Sequence, residues 1–189
     1  MAKRERWAYC GRMGEDGDWT WVLERQCEEC GYKADALSRN KLGPRVRAVG
    51  GAWRELLGRG PGVQSLRDGD DRTWTPLEYG CHVRDVFKIF EERSRQMLKK
   101  RKPPTFKDWN QEVEAVKSDY AGQDPAKVAY DLASNAGKFA DLLDRVDDNE
   151  WDKEGFRSDG PRFTVESLAR YMLHDVEHHL WDAREQLDG

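Results

Sequence analysis

Four stretches of this chain carry apolar residues at three- and four-residue spacing, and each is bounded by a helix start or stop signal. The first holds Val46, Val49, Trp53, Leu56 and Leu57 and stops at Gly58. The second opens after Trp74: Thr75 suits the N-cap, Pro76 the first helical position, and Glu78 completes a capping box. Its apolar face is Tyr79, Val83, Val86, Phe90 and Met97, and it ends in Lys99 to Lys102 before two prolines that forbid continuation. Asp124 and Pro125 start the third, which carries Val128, Leu132, Phe139, Leu142, Leu143 and Val146. Thr164, with Ser167 behind it, caps the last, bearing Leu168, Met172, Val176, Leu180 and Ala183. No strand run of comparable strength and no internal repeat is visible. The expectation is an all-α fold, a four-helix bundle.

The bundle is expected over residues 33–189, helical from about Ala34, with residues 1–32 as a short N-terminal appendage. In the appendage Trp19 to Leu23 reads as extended and Cys27-Glu28-Glu29-Cys30-Gly31 as a turn. Residues 106–122 hold a weaker helical stretch, and residues 147–162 are a polar, Gly-rich loop.

At 189 residues and 38% hydrophobic, the chain can build one sizeable core. Charged residues make up 36%, above the usual share of about 25%, so its surface is densely ionic. A formal net charge of −4 excludes a broad electrostatic footprint for nucleic acid. The basic run Lys99 to Lys102 sits at a helix end without interleaved aromatics and reads as a solvated cap. No apolar run approaches the ~18 residues of a membrane span, and no apolar stretch follows the basic N-terminus, so no membrane and a cytoplasmic setting are expected. There the four cysteines stay reduced.

The histidines carry more information. They are His82, in the first turns of the second helix, and His174, His178 and His179 in the last. His174 and His178, four apart, project from one helix face, a spacing that lets two imidazoles hold one metal ion. His82 lies about 40–70° from the middle of its helix's apolar stripe and faces inward or into a groove. If the two helices are neighbours, three imidazoles converge and leave coordination positions open. Against this, His174 and His178 point roughly 160° or more away from the apolar stripe of their own helix, on a face that Tyr171 and Trp181 flank and that could line a cavity. His179 faces closer to that stripe and reads as a core or boundary histidine. Periodicity leaves the matter open.

Two segments add a resemblance. Trp74-Thr75-Pro76-Leu77-Glu78-Tyr79-Gly80-Cys81-His82-Val83-Arg84-Asp85-Val86 and Tyr171-Met172-Leu173-His174-Asp175-Val176-Glu177-His178-His179 resemble the second- and last-helix signatures of the DinB-like superfamily. Likeness to its actinobacterial branch extends through Trp19 to Glu24 and Thr105 to Asn110. The resemblance implies a divalent metal, zinc or nickel, held by His82, His174 and His178, in an enzyme acting on a small molecule. Several such relatives are transferases or isomerases using a low-molecular-weight thiol of the mycothiol or bacillithiol type. A second set, His82/His178/Asp182, would make a two-histidine, one-carboxylate site suited to harder ions.

A divalent cation in such a site would turn a bound thiol into a thiolate near neutral pH, or activate water, or polarise a carbonyl. Asp85 and Glu177, each close to a ligand, are candidates for proton transfer or ligand orientation; Tyr171 and Trp109 are candidates for lining the pocket. The rival reading is a non-catalytic binding or stress protein on the same bundle; a further one is a metal-dependent hydrolase, lyase or cyclase. The Cys27/Cys30 pair looks like half a zinc knuckle, with Cys10 as a third candidate ligand, but no second cysteine pair completes it. Cys81 reads as a small buried apolar residue. A homodimer is allowed, though no self-complementary patch is legible.

Overall fold

The computed structural model describes residues 19–65 and 74–188; Cys10 and the start of the appendage lie outside them. Five α-helices dominate: α1 (Leu42–Leu57), α2 (Pro76–Lys99), the short α3 (Gln111–Lys117), α4 (Pro125–Leu143) and α5 (Val165–Asp188). Three start at the caps legible in the sequence. Thr75 Oγ1 accepts from the Glu78 amide at 3.2 Å while Glu78 Oε2 accepts from the Thr75 amide at 2.8 Å. Asp124 Oδ1 accepts from the Ala126 amide at 2.8 Å, and Thr164 and Ser167 exchange the same kind of reciprocal bond. Thr75→Ala is expected to cost about 1 kcal/mol, read as a lower urea midpoint at unchanged m-value.

The long helices form a four-membered ring in which α1 packs on α4, α4 on α2, α2 on α5, and α5 back on α1. Two pairs of successive long helices are therefore diagonal, α1 facing α2 and α4 facing α5 across the core, while α2 and α4 are neighbours. That order makes α2 and α5 neighbours, the condition on which convergence of the histidines rests. α1 and α4 approach closely at Gly50, where a Cβ would sit 2.5 Å from that of Ala136. The core between the helices is filled by Trp53, Phe87, Phe139, Leu132 and Met172, all fully buried.

Three expectations about local structure are corrected. Trp19 to Leu23 is not extended; Thr20–Leu23 is a 3-10 turn lying against α5. Continuous helix begins at Leu42, after two 3-10 turns at Ala34–Ala36 and Arg39–Lys41. A small three-stranded sheet takes up the start of the expected weaker helical stretch at Phe106 and part of the polar loop expected over residues 147–162: β1 (Thr105–Phe106), β2 (Glu154–Arg157) and β3 (Arg162–Thr164). β1 pairs parallel with β2, which pairs antiparallel with β3 in the register Glu154↔Thr164. Strands of two to four residues are too short for an alternating pattern to register in a sequence. The Lys99 to Lys102 run is exposed, as a solvated cap should be.

Candidate metal centre

α5 presents two pairs of potential ligands on adjoining faces, because residues one apart on a helix are about 100° apart and residues four apart nearly superimpose. Asp175 and His179 turn toward α2, and His174 and His178 turn toward the appendage. Each pair meets different partners. One donor atom from each of His82, Asp175 and His179 lies within 4.8 Å of the others, and so do donors of Cys27, Cys30, His174 and His178. His82, His174 and His178 do not meet as one such group among the described residues.

In the first group, His82 Nε2 lies 3.1 Å from Asp175 Oδ1 and His179 Nε2 3.7 Å from the same oxygen. Ligand atoms around one cation at about 2.0–2.2 Å are separated by about 3.0–3.5 Å, so these three are already close to coordination distance. Asp182 Oδ2 sits 3.1 Å from His179 Nδ1. With Nδ1–H donating to that carboxylate, Nε2 is left bare toward Asp175, the arrangement by which a carboxylate fixes the tautomer of a ligating imidazole. His82 is fully buried, its ring stacked on Trp109 at 5.4 Å and 14°, and its Nδ1 has no hydrogen-bond partner among the described residues. Burial pushes the His82 imidazole below its ordinary value. Burial would raise the Asp175 carboxyl, but the facing imidazoles of His82 and His179 outweigh it and hold it well below the usual carboxylate range. A neutral His82 imidazole beside an ionised Asp175 carboxylate is the protonation state that a divalent cation requires. The donor set thus fits a divalent metal ion. Its chemistry is that of the second set read from the sequence, two imidazoles and a carboxylate, with His82 in common and the other two residues different. Asp182→Asn is expected to weaken metal affinity here by about 10–100-fold without unfolding the protein, measurable by competition with a chromogenic chelator.

The group opens on a cavity of about 420 Å³. The Asp175 side chain is 25% exposed while His82 is sealed, so the approach to the three donors runs past Asp175. Trp109, Tyr171, Arg93 and Arg157 line this cavity, and Asp175 and His179 share it with His174 and His178. Arg157 is paired with Asp159 through two nitrogens at 2.6 and 2.7 Å. Arg93 donates to the Lys107 carbonyl at 3.2 Å and lies over the Phe90 and Phe106 rings.

Asp85 and Glu177 are placed elsewhere. Asp85 accepts two bonds from Arg84 at 2.9 Å and one from the Tyr120 hydroxyl at 2.6 Å. Glu177 takes a bidentate pair from Arg45 at 2.8 and 2.7 Å, tying α5 to α1. Neither carboxylate belongs to a ligand group.

The second group explains a contradiction in the sequence. His174 and His178 point away from the apolar stripe, yet each is only 1% exposed. The appendage covers them: Trp19 lies 4.9 Å from His174 and 5.0 Å from His178 between ring centroids, and Tyr32 lies 5.5 Å from His174. Tyr32 anchors that cover by donating to the Arg170 carbonyl at 2.7 Å. Burial, with His178 beside it, lowers His174 to about 3, and burial pushes the Cys30 thiol up to about 12. Cys81 is fully buried, its thiol toward the Tyr120 carbonyl.

Sequence reasoning read His179 as a core or boundary histidine and did not weigh Asp175 as a ligand. Their signal was present as a second i, i+4 pair one position along, masked by the preference for pairing two imidazoles.

The described helical framework is similar to that of YfiT from Bacillus subtilis, described as a probable metal-dependent hydrolase with an unusual four-helix bundle topology. The TM-score is 0.69 at 18% identity, covering 81% of this chain and 91% of that one, a likeness of fold. No curated protein is significantly similar to the chain in sequence. Residues 15–183 match the family model of the DinB superfamily, and the ring of four helices with its α2–α5 contact accords with that match: the chain belongs to the DinB superfamily.

Proposed function

We propose that the protein is a metal-dependent enzyme acting on a small molecule held in the cavity beside Asp175, by transfer of a low-molecular-weight thiol of the mycothiol type. The observation that carries the reading is the convergence of two imidazoles and one carboxylate, from α2 and α5, at a buried point with a single exposed carboxylate edge on a cavity. In this reading His82 is a ligand, joined by Asp175 and His179 of α5 in place of His174 and His178. A mixed nitrogen and oxygen donor set also widens the expected metal from zinc or nickel to manganese or iron(II).

Bound there, a divalent cation supplies the Lewis acidity that lowers the pKa of a thiol or a water molecule toward neutrality. The protein's own groups do the rest. Asp182 holds the His179 ring, Trp109 covers the His82 ring and keeps water from it, and Asp175 marks the side from which substrate enters. Arg93, on the cavity wall, offers a guanidinium to an anionic group of the substrate.

A second reading, metal-assisted hydrolysis, is favoured by the description of YfiT, whose framework this chain shares. Both are tested on chelator-stripped protein reloaded with zinc, nickel, manganese or iron(II). It is assayed with an electrophilic aryl halide and a panel of small thiols, and in parallel with activated esters and amides. Thiol transfer accelerated by metal and abolished by His82→Ala supports the first reading, and metal-dependent ester or amide cleavage without thiol transfer supports the second. Equal rates for stripped and reloaded protein across both panels would sink the enzyme reading.

A further inference from the structure

We propose that Cys27, Cys30, His174 and His178 form a second metal site, a closed four-coordinate zinc centre that pins the N-terminal appendage to α5. This centre is separate from the His82 group and does not depend on that group's function.

The cysteine half is preformed. Cys27-x-x-Cys30 is folded into a turn in which the Cys27 amide donates to the Tyr32 carbonyl at 2.9 Å and the Gly31 amide to the Cys27 carbonyl at 3.0 Å. Gly31 has φ +74°, the left-handed conformation that lets the chain double back immediately after the second cysteine. The turn sets both sulfurs on one side, as in a zinc knuckle. What the sequence lacked was a second pair of ligands nearby, and the fold supplies it from 151 residues away, with Cys27 Sγ 3.7 Å from His178 Nδ1. The His174-x-x-x-His178 spacing provides two imidazoles one turn apart. The full set is thus the Cys₂His₂ combination of structural zinc sites, with ligand spacings inside their usual range.

The donor atoms lie within 4.8 Å of one another, against about 3.3–3.8 Å between ligands of tetrahedral zinc, so a contraction of about 1 Å closes the shell. Burial gives an independent reason to place an ion here. His174 Nε2 is buried with no hydrogen-bond partner among the described residues. Cys27, His174 and His178 are buried and Cys30 half-buried, which shields the thiols from solvent. The nearest carboxylate, Glu29, has an oxygen 3.5 Å from His178 Nε2, placed to accept from that nitrogen once Nδ1 is turned to a cation. With all four positions taken by protein atoms, the centre has no seat for substrate, so its role is structural.

The test uses the full chain grown with zinc. In a His82→Ala/Asp175→Ala variant, which disables the other group, one equivalent of zinc is expected to remain. Its X-ray absorption should show two sulfur and two imidazole neighbours. Adding Cys27→Ser/Cys30→Ser is expected to remove that equivalent. Because these variants risk misfolding, two measurements use the wild type. Cobalt(II) added to metal-free protein should give the sulfur-to-metal charge-transfer band and intense d–d absorption of a tetrahedral thiolate site. A mercurial thiol reagent should release one equivalent of zinc into a chromogenic chelator. Cobalt without charge transfer, bound zinc with no sulfur neighbours, or recovery of Cys27 and Cys30 as a zinc-free disulfide from protein purified under reducing conditions overturns the proposal. Loss of metal and turnover in His82→Ala with the sulfur signature intact would leave this centre standing, whatever becomes of the catalytic reading.

Discussion

Asp175→Asn is expected to strip the His82 centre of its metal while leaving the bundle folded. The amide has the shape of the carboxylate and still accepts a hydrogen bond from His82, so packing is preserved. It lacks the charge, and it is a poor ligand beside two neutral imidazoles. Removing only a partner that orients a ligand costs about 10–100-fold in affinity, so loss of the ligand itself should exceed ~100-fold, with turnover falling in parallel. Equilibrium dialysis with elemental analysis reads the first and the thiol-transfer assay the second. The result separates two arrangements on one helix. Were the cation held by His82, His174 and His178, Asp175 would only orient His82, and a loss confined to about 10–100-fold would overturn the assignment of Asp175 as a ligand.

Trp53→Ala is expected to lose about 3–5 kcal/mol of stability, a large share of the ~5–15 kcal/mol of an ordinary domain. Trp53 is fully buried on α1, and its indole N–H donates to the Val176 carbonyl of α5 at 3.0 Å. Truncation opens a cavity at the α1–α5 contact and removes a bond to the peptide beside Asp175. Trp53→Phe, which keeps most of the ring and loses the donor, should cost roughly half as much. Urea unfolding followed by circular dichroism measures both. A loss below about 1.5 kcal/mol for Trp53→Ala would show that the helices close over the gap and that Trp53 is not what spaces them.

How much of this was legible depends on the range of the physics involved. Thr75-Pro76 and Asp124-Pro125 mark helix starts because a cap satisfies amides two or three residues away, and the start of α5 at Thr164 follows for the same reason. The residues between Ala34 and Lys41 misled because their pattern suits a helix while the chain makes two 3-10 turns there, held to α5 by Arg170 bonding the Ala34 and Leu37 carbonyls. The burial of His174 and His178 was illegible for a sharper reason. A helical wheel measures a face against its own helix, and those two rings are covered by Trp19 and Tyr32, which belong to no helix of the bundle.

By itself the sequence determined the helices, their caps, the composition of the core and the presence of ligand-rich positions on α2, α5 and the cysteine turn. All of these follow from interactions within a turn or two of chain. Only the tertiary structure decided which ligands belong together: two overlapping i, i+4 pairs on α5 differ by about 100°, and the apolar stripe puts His179 nearer the core without saying which helix it meets. The ring order of the helices brings Asp175 and His179 to His82, and the docking of the appendage brings Cys27 and Cys30 to His174 and His178. Those pairings join residues about 90 to 150 positions apart, where it is the packing of whole elements, not the spacing of residues, that sets distance.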